Sequence, residues 1–200
     1  MAFISNGTTI LDAGAFDVSL GSQVLISEQT ASASASISFT SGIDSTYPIY
    51  KFEFINIHPQ TDDKKFQFNL STDGGSNYNV TKTTTWFTSL HAENDSDANL
   101  FYSTSLDLAQ STSYQSIGHN IGNGNDESYS GSLIIFNPSS ATFVKHFLHD
   151  GNSYHQNNIS YNVRVAGYGN TTSAVDAVRF QMESGNIDSG TIKLYGIKDS

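Results

Sequence analysis

Tyr50-Lys-Phe-Glu-Phe-Ile-Asn-Ile-His-Pro59, Gln60-Thr-Asp-Asp-Lys-Lys65 and Phe66-Gln-Phe-Asn-Leu-Ser-Thr-Asp-Gly-Gly75-Ser-Asn-Tyr78 form the stretch on which the reading of this chain turns. Tyr50, Phe52 and Phe54 alternate with Lys51 and Glu53, and Phe66, Phe68 and Leu70 alternate with Gln67 and Asn69. Period-2 alternation marks a strand with one buried and one wet face. Two such runs joined by a polar hexapeptide predict an antiparallel hairpin. Pro48 precedes it, Pro59 stops its first strand, and Asp73-Gly74-Gly75 turns the chain after its second.

The pattern repeats on both sides of this stretch. Towards the N-terminus, Thr30 to Phe39 alternates Ala31, Ala33, Ala35, Ile37 and Phe39 with four serines, which predicts a strand whose small side chains let another backbone approach closely. Val24-Leu25-Ile26 closes an earlier strand. Towards the C-terminus, Lys82–Phe87, Leu100–Tyr102, Gly131–Phe136, Thr142–Leu148 and Ile159–Tyr168 read as strands. Gly131–Phe136 is apolar on both faces and is therefore expected at the centre of a sheet. Ala174–Met182 and Gly190–Gly196 read as a final pair, Asp107–Gln110 as a short helical turn, and Asp150–Asn158 as a polar loop. Ten to twelve short strands separated by turn signals predict an all-β, antiparallel β-sandwich, jelly-roll-like, as a single domain. The domain is placed at 23–200, behind an N-terminal arm at 1–22 of one or two short strands. No fixed-period repeat points to a propeller or β-helix.

Composition supports this and narrows the function. The chain of 200 residues carries 13 Phe and 10 Tyr, enough aromatic volume for a core. Nine Lys and Arg against 19 Asp and Glu give a net charge of −10. An acidic surface argues against nucleic acid and against an anionic membrane. No apolar run is long enough to span a bilayer, so no membrane insertion is expected. With no Cys, thiolate nucleophiles, disulfides and Cys-based zinc sites are excluded. The N-terminus lacks a basic n-region followed by an apolar h-region, so synthesis and folding in a cytosol are expected.

Candidate chemistry is sparse. His146, His149 and His155 crowd one region, but an i, i+3 pair on a strand points to opposite faces, so they are read as surface or loop-end residues rather than metal ligands. Glu93, Asp95, Asp97, Asp126 and Glu127 offer oxygen ligands without the spacing of a dedicated calcium loop. No nucleophile elbow or phosphate-cradling loop occurs. The six Asn-x-Ser/Thr sites, Asn6, Asn79 and Asn170 among them, are chance products of composition. Tyr and Asn in Asn77-Tyr78, Tyr114 and Tyr154–Tyr161 suit a glycan- or protein-binding surface. No catalytic, metal or cofactor-binding residue is assigned, no cofactor is expected, and the ligand-binding residues are unknown.

Several strings also resemble a family. They are Phe54–Pro59, Ser71–Tyr78, Asp107–Thr112, Leu133–Ser140, Phe143–Phe147, Ala166–Tyr168, Asn170–Ala174 and Gly185–Ile197. Together, over about residues 20–197, they resemble virion structural proteins of tailed phages of marine bacteria, cyanophages especially. The resemblance brings no catalytic residue. It implies a non-enzymatic virion protein, made in the cytoplasm of a bacterial host, most simply a capsid decoration or cement protein on the particle exterior. The alternative is a tail-fibre or receptor-binding head that attaches to host surface glycan. Expected partners are further copies of the chain, as a homo-oligomer and most simply a trimer, and virion proteins such as the major capsid protein or tail proteins.

Overall fold

The structure, a computed structural model, describes residues 22–198 together with the backbone of three short strands before them. These are β1 (Phe3–Ser5), β2 (Thr8–Asp12) and β3 (Ala15–Phe16), which pair in sequence as a small antiparallel sheet. How the arm packs, on its own domain or on another subunit, falls outside the described residues.

The remainder is all-β, an antiparallel β-sandwich of twelve strands. They are β4 (Gln23–Thr30), β5 (Ile37–Phe39), β6 (Ile49–Pro59), β7 (Phe66–Ser71), β8 (Lys82–Ala92), β9 (Ala98–Tyr102), β10 (Gln115–Ser116), β11 (Tyr129–Phe136), β12 (Lys145–His155), β13 (Ile159–Gly169), β14 (Ala177–Met182) and β15 (Ile187–Ile197). One sheet has eight strands in the order β4-β15-β6-β11-β12-β13-β8-β9, and the other has four in the order β10-β7-β14-β5. β11 lies between β6 and β12, the central place its two apolar faces call for.

The 50–78 stretch folds differently from the expected hairpin. β6 belongs to the large sheet and β7 to the small one, so the Gln60–Lys65 connection is an arch between sheets. Alternation fixes which side chains are buried but not which sheet a strand joins. Phe54 and Phe66, from the two runs, meet across the core edge to face, 5.3 Å between ring centroids. A hairpin would have placed both sets side by side on one face. The alternation of β6 also slips. Tyr50, Phe52 and Phe54 face in, and then Ile57 does, because Asn56 takes a positive φ of 49° at a bulge against β11. At the turn, Gly74 and Gly75 have φ of 69° and 84°, a backbone that other residues rarely adopt.

Other expectations are revised as well. Ala31–Ser36 is not part of one straight strand but a corner at which the chain leaves β4 in the large sheet for β5 in the small one. Ala33 has φ 47°, and Ala33 and Ala35 are exposed, while Ala31, Ile37 and Phe39 are buried. β14 and β15 are likewise in different sheets rather than paired. Asp107–Gln110 holds no helix, and Gln110 has φ 49°. Asp150–His155 is strand rather than loop, the outer half of the long β12–β13 hairpin.

The core lies between the sheets. Phe52, Phe54, Phe66, Phe68, Phe147 and Phe180 are almost completely buried, with Phe180 stacked on Phe66 at 5.8 Å and Phe68 edge-on to Phe147 at 5.1 Å. Such pairs add roughly 0.5–1.5 kcal/mol each beyond the burial itself. Gly131 and Gly151 face each other across β11 and β12, and a Cβ on either would meet the partner backbone or the Tyr129 ring within 3 Å.

Candidate functional site

The residues singled out from sequence do not converge. His146 is exposed on the outer face of β12, whereas His149 and His155 are buried on its inner face. The strand geometry therefore separates them; the expectation of surface or loop-end positions fails for His149, while His155 is the last residue of β12 before its turn, though buried. His149 Nδ1–H donates to Ser132 O (2.9 Å), and its Nε2 accepts from the Tyr129 hydroxyl (3.3 Å). Burial pushes its pKa down to about 4, so it is a neutral core residue. His155 Nε2 lies 3.6 Å from Asp63 Oδ1. Among the described residues no group of three or more His, Asp or Glu is placed to hold a metal ion.

Both acidic loops pack against the β12–β13 hairpin. Glu93 N–H donates to Asn158 O (2.9 Å) and Gly122 N–H to Tyr154 O (3.1 Å). Asp95 pairs with His91 at 3.0 Å, and Glu127 accepts from the Gly124 N–H at 2.6 Å. Tyr78, read as a surface aromatic, is buried, with the Arg179 guanidinium 4.0 Å from its ring centroid. Tyr161 is half-buried, edge-on to His119 and His155. Tyr154 donates to Asn158 Oδ1 (3.2 Å). Tyr78 thus drops out of the expected Tyr/Asn surface, while Tyr154 and Tyr161 keep partly exposed positions on the β12–β13 hairpin.

What the sheet does assemble is a face. The side of the eight-stranded sheet turned away from the core carries three adjacent rows. One runs Phe136, His146, Tyr168, Thr83. The next runs Lys51, Ile134, Leu148, Ala166, Thr85 across five consecutive strands. Two adjoining depressions of ≈ 420 and ≈ 340 Å³ share Leu148 and Ala166 in their lining, and Phe136, Ile134 and Phe87 extend it. Ala166 provides the dip because its neighbours in the row, Leu148 and Thr85, are larger. Leu148 is 50% exposed, a large apolar side chain at the middle of a sheet.

The third row is charged and crosses all eight strands: Glu28, Lys193, Glu53, Ser132, Asp150, Arg164, Phe87, Tyr102. Its ions are paired within the row or with the row beside it. Lys193 meets Glu28 at 3.3 Å and Arg164 meets Asp150 at 2.9 Å, while Lys51 of the neighbouring row meets Glu53 at 2.8 Å. Three cations match three anions here, although the chain carries −10. The surplus of acid lies elsewhere. At the free edge β9 continues the outer face with Leu100 and Tyr102, 71% and 50% exposed. The one sequence signal for this face was the two-sided apolarity of Gly131–Phe136.

No known family model matches the chain, and comparison with curated proteins and with solved structures finds no match either.

Proposed function

We propose that this chain is a non-enzymatic structural protein of a phage particle, a decoration or cement module on the particle exterior, and that it assembles with further copies of itself through the outer face of the eight-stranded sheet. The observation that carries the reading is the contrast between that face and the rest of the molecule. Two copies of a chain with net charge −10 repel each other over most orientations. The outer face is where that repulsion is absent, since its ions are neutralised in place and its centre is apolar. Exposed apolar patches of this kind mark protein contacts. The shallow depressions suit side chains of a flat partner surface, and the charged row beside them suits the rim of an interface.

The strings resembling marine phage virion proteins support the same reading. A short module that folds without disulfides also suits assembly in a bacterial cytoplasm and exposure outside it. The test has two parts. Light-scattering mass of the purified chain should give a defined oligomer, with a trimer expected, and a monomer at tens of micromolar removes the self-assembly. Imaging of particles should place many copies on the capsid shell. Density for the chain at the tail tip alone would replace the decoration role with receptor binding.

A further inference from the structure

The inner face of the large sheet holds two lysines. Lys82 opens β8 and Lys145 opens β12, and both register with Gly169 of the intervening β13. They therefore sit on one row, about 10 Å apart, and neither side chain reaches solvent. Isolated ammonium groups are costly to bury unless paired, yet none of the molecule's ion pairs among the described residues includes either one. Lys145 Nζ donates to three backbone carbonyls, Ser140 O (2.7 Å), Phe143 O (2.7 Å) and Thr171 O (3.2 Å). It ties together two loops at one end of the sandwich.

Lys82 is differently placed. Its Nζ lies 2.9 Å from Val80 O and 2.5 Å from Oδ1 of Asn69, a residue of β7 in the opposite sheet. Asn69 is itself fully buried, and its carboxamide is fixed on every side. Nδ2 donates to Tyr78 O (2.6 Å) and Thr112 O (2.9 Å), and Oδ1 also accepts from the Leu70 N–H (2.9 Å). Burial lowers the pKa of Lys82 to about 7, so a large share of the side chain is free amine at neutral pH. A desolvated amine is a nucleophile. It is held against an immobilised amide, where proximity alone is worth effective molarities of ~10⁵–10⁸ M.

We propose that Lys82 and Asn69 form an intramolecular isopeptide bond that joins the two sheets covalently. The neutral Nζ attacks Cγ of Asn69, forming the new C–N bond, and the carbonyl electron pair moves onto Oδ1, where the Leu70 N–H meets the charge. The adduct collapses with cleavage of Cγ–Nδ2. The proton lost by Nζ passes to Nδ2, which leaves as ammonia. One amide replaces another, so no oxidant, metal or cofactor enters. Lys145, which faces only backbone carbonyls, has no carboxamide to attack and remains an amine. The bond would close the 69–82 segment, tie β7 to β8, and resist separation of the sheets on an exposed protein.

Intact mass of the full chain, followed by chymotryptic mapping, tests this. The expected mass is that of the sequence less one ammonia, with the peptides Asn69–Leu70 and Asn79–Trp86 recovered as one branched species. Lys82→Met and Asn69→Ala should each restore the full mass, and Lys145→Met should keep the deficit. The deficit should also develop faster in freshly refolded protein as pH rises through 7. A full mass in the wild-type chain after prolonged mildly alkaline incubation overturns the proposal, whether or not the variants fold. So does a deficit that maps to succinimide at Asn6-Gly7 or Asn123-Gly124.

Discussion

The inner and outer faces of the eight-stranded sheet are built from alternate residues of the same strands, and they do opposite work. On β12, Phe147 and His149 point into the core while His146, Leu148 and Asp150 point out. The inner set is aromatic, interlocked with the small sheet and closed to water. The outer set is apolar in one band and charged in the next, with the charges already paired. The inner face is therefore finished within one chain, and on the proposed function the outer face is finished by a second copy. Inner-face changes should act on stability, outer-face changes on association.

The largest effect expected is on the inner face. Phe54 packs against the rings of Phe66, Tyr129 and Phe180 at 5.3, 5.8 and 5.1 Å. Phe54→Ala should cost about 3–5 kcal/mol, read from the denaturant midpoint. Leu148→Ala, made on the other face of the same sheet, should shift the folding stability of the dissociated chain by no more than about 0.5 kcal/mol. Equal losses from both would show that the outer face is already covered within one chain.

A second contrast is with pH. His149 is held neutral in the fold with its pKa depressed to about 4 from an ordinary 6.5. The unfolded imidazole takes up a proton first, so the contribution is complete above pH 6.5. It is lost as the pH falls from 6.5 towards 4, and is flat below. That gap corresponds to roughly 3 kcal/mol for a fully buried group. His149→Gln should flatten this part of the stability profile, whereas His146→Gln, exposed on the outer face, should leave it unchanged. His119, whose pKa burial also lowers to about 4, contributes to the slope that remains in His149→Gln.

The sandwich was legible because period-2 alternation survives almost everywhere, and β11 declared its central position through Leu133, Ile134, Ile135 and Phe136. Sheet membership was not legible. Phe52 and Phe66 carry the same local pattern in different sheets, and only the pairing of β6 with β11 and β15, and of β7 with β14, separates them. The corner at Ala31–Ser36 was hidden for a related reason: Ala and Ser satisfy an alternating template while tolerating a bend. The outer face escaped because its rows are assembled from four to eight strands, and among them only β11, β12 and β13, and β8 and β9, follow one another in the chain. Lys82 and Asn69 are 13 residues apart and look like ordinary outward polar positions until the two strands are set in opposing sheets.

At the outer face itself, Leu148→Asp places a charge at the centre of the apolar band. We expect the oligomer to dissociate at concentrations where the wild-type chain remains assembled, a loss of at least about 2 kcal/mol if Leu148 is a central anchor. Sedimentation velocity reads it directly. An unchanged sedimentation coefficient would move the contact off this face, with the apolar edge of β9 as the next surface to probe.

The smallest effect tests the neutralised row. The Arg164–Asp150 pair is about half exposed, so its removal should alter the stability of one chain by only about 0.2–1 kcal/mol. Arg164→Ala nonetheless leaves Asp150 unpaired on a face that is otherwise balanced, and an uncompensated charge there must be desolvated when a second copy docks. Association should weaken, and more than it does in the double variant with Asp150→Asn, in which neither charge remains. If the single and double variants associate equally, the balance of ions across the row is incidental and the apolar band alone carries the contact.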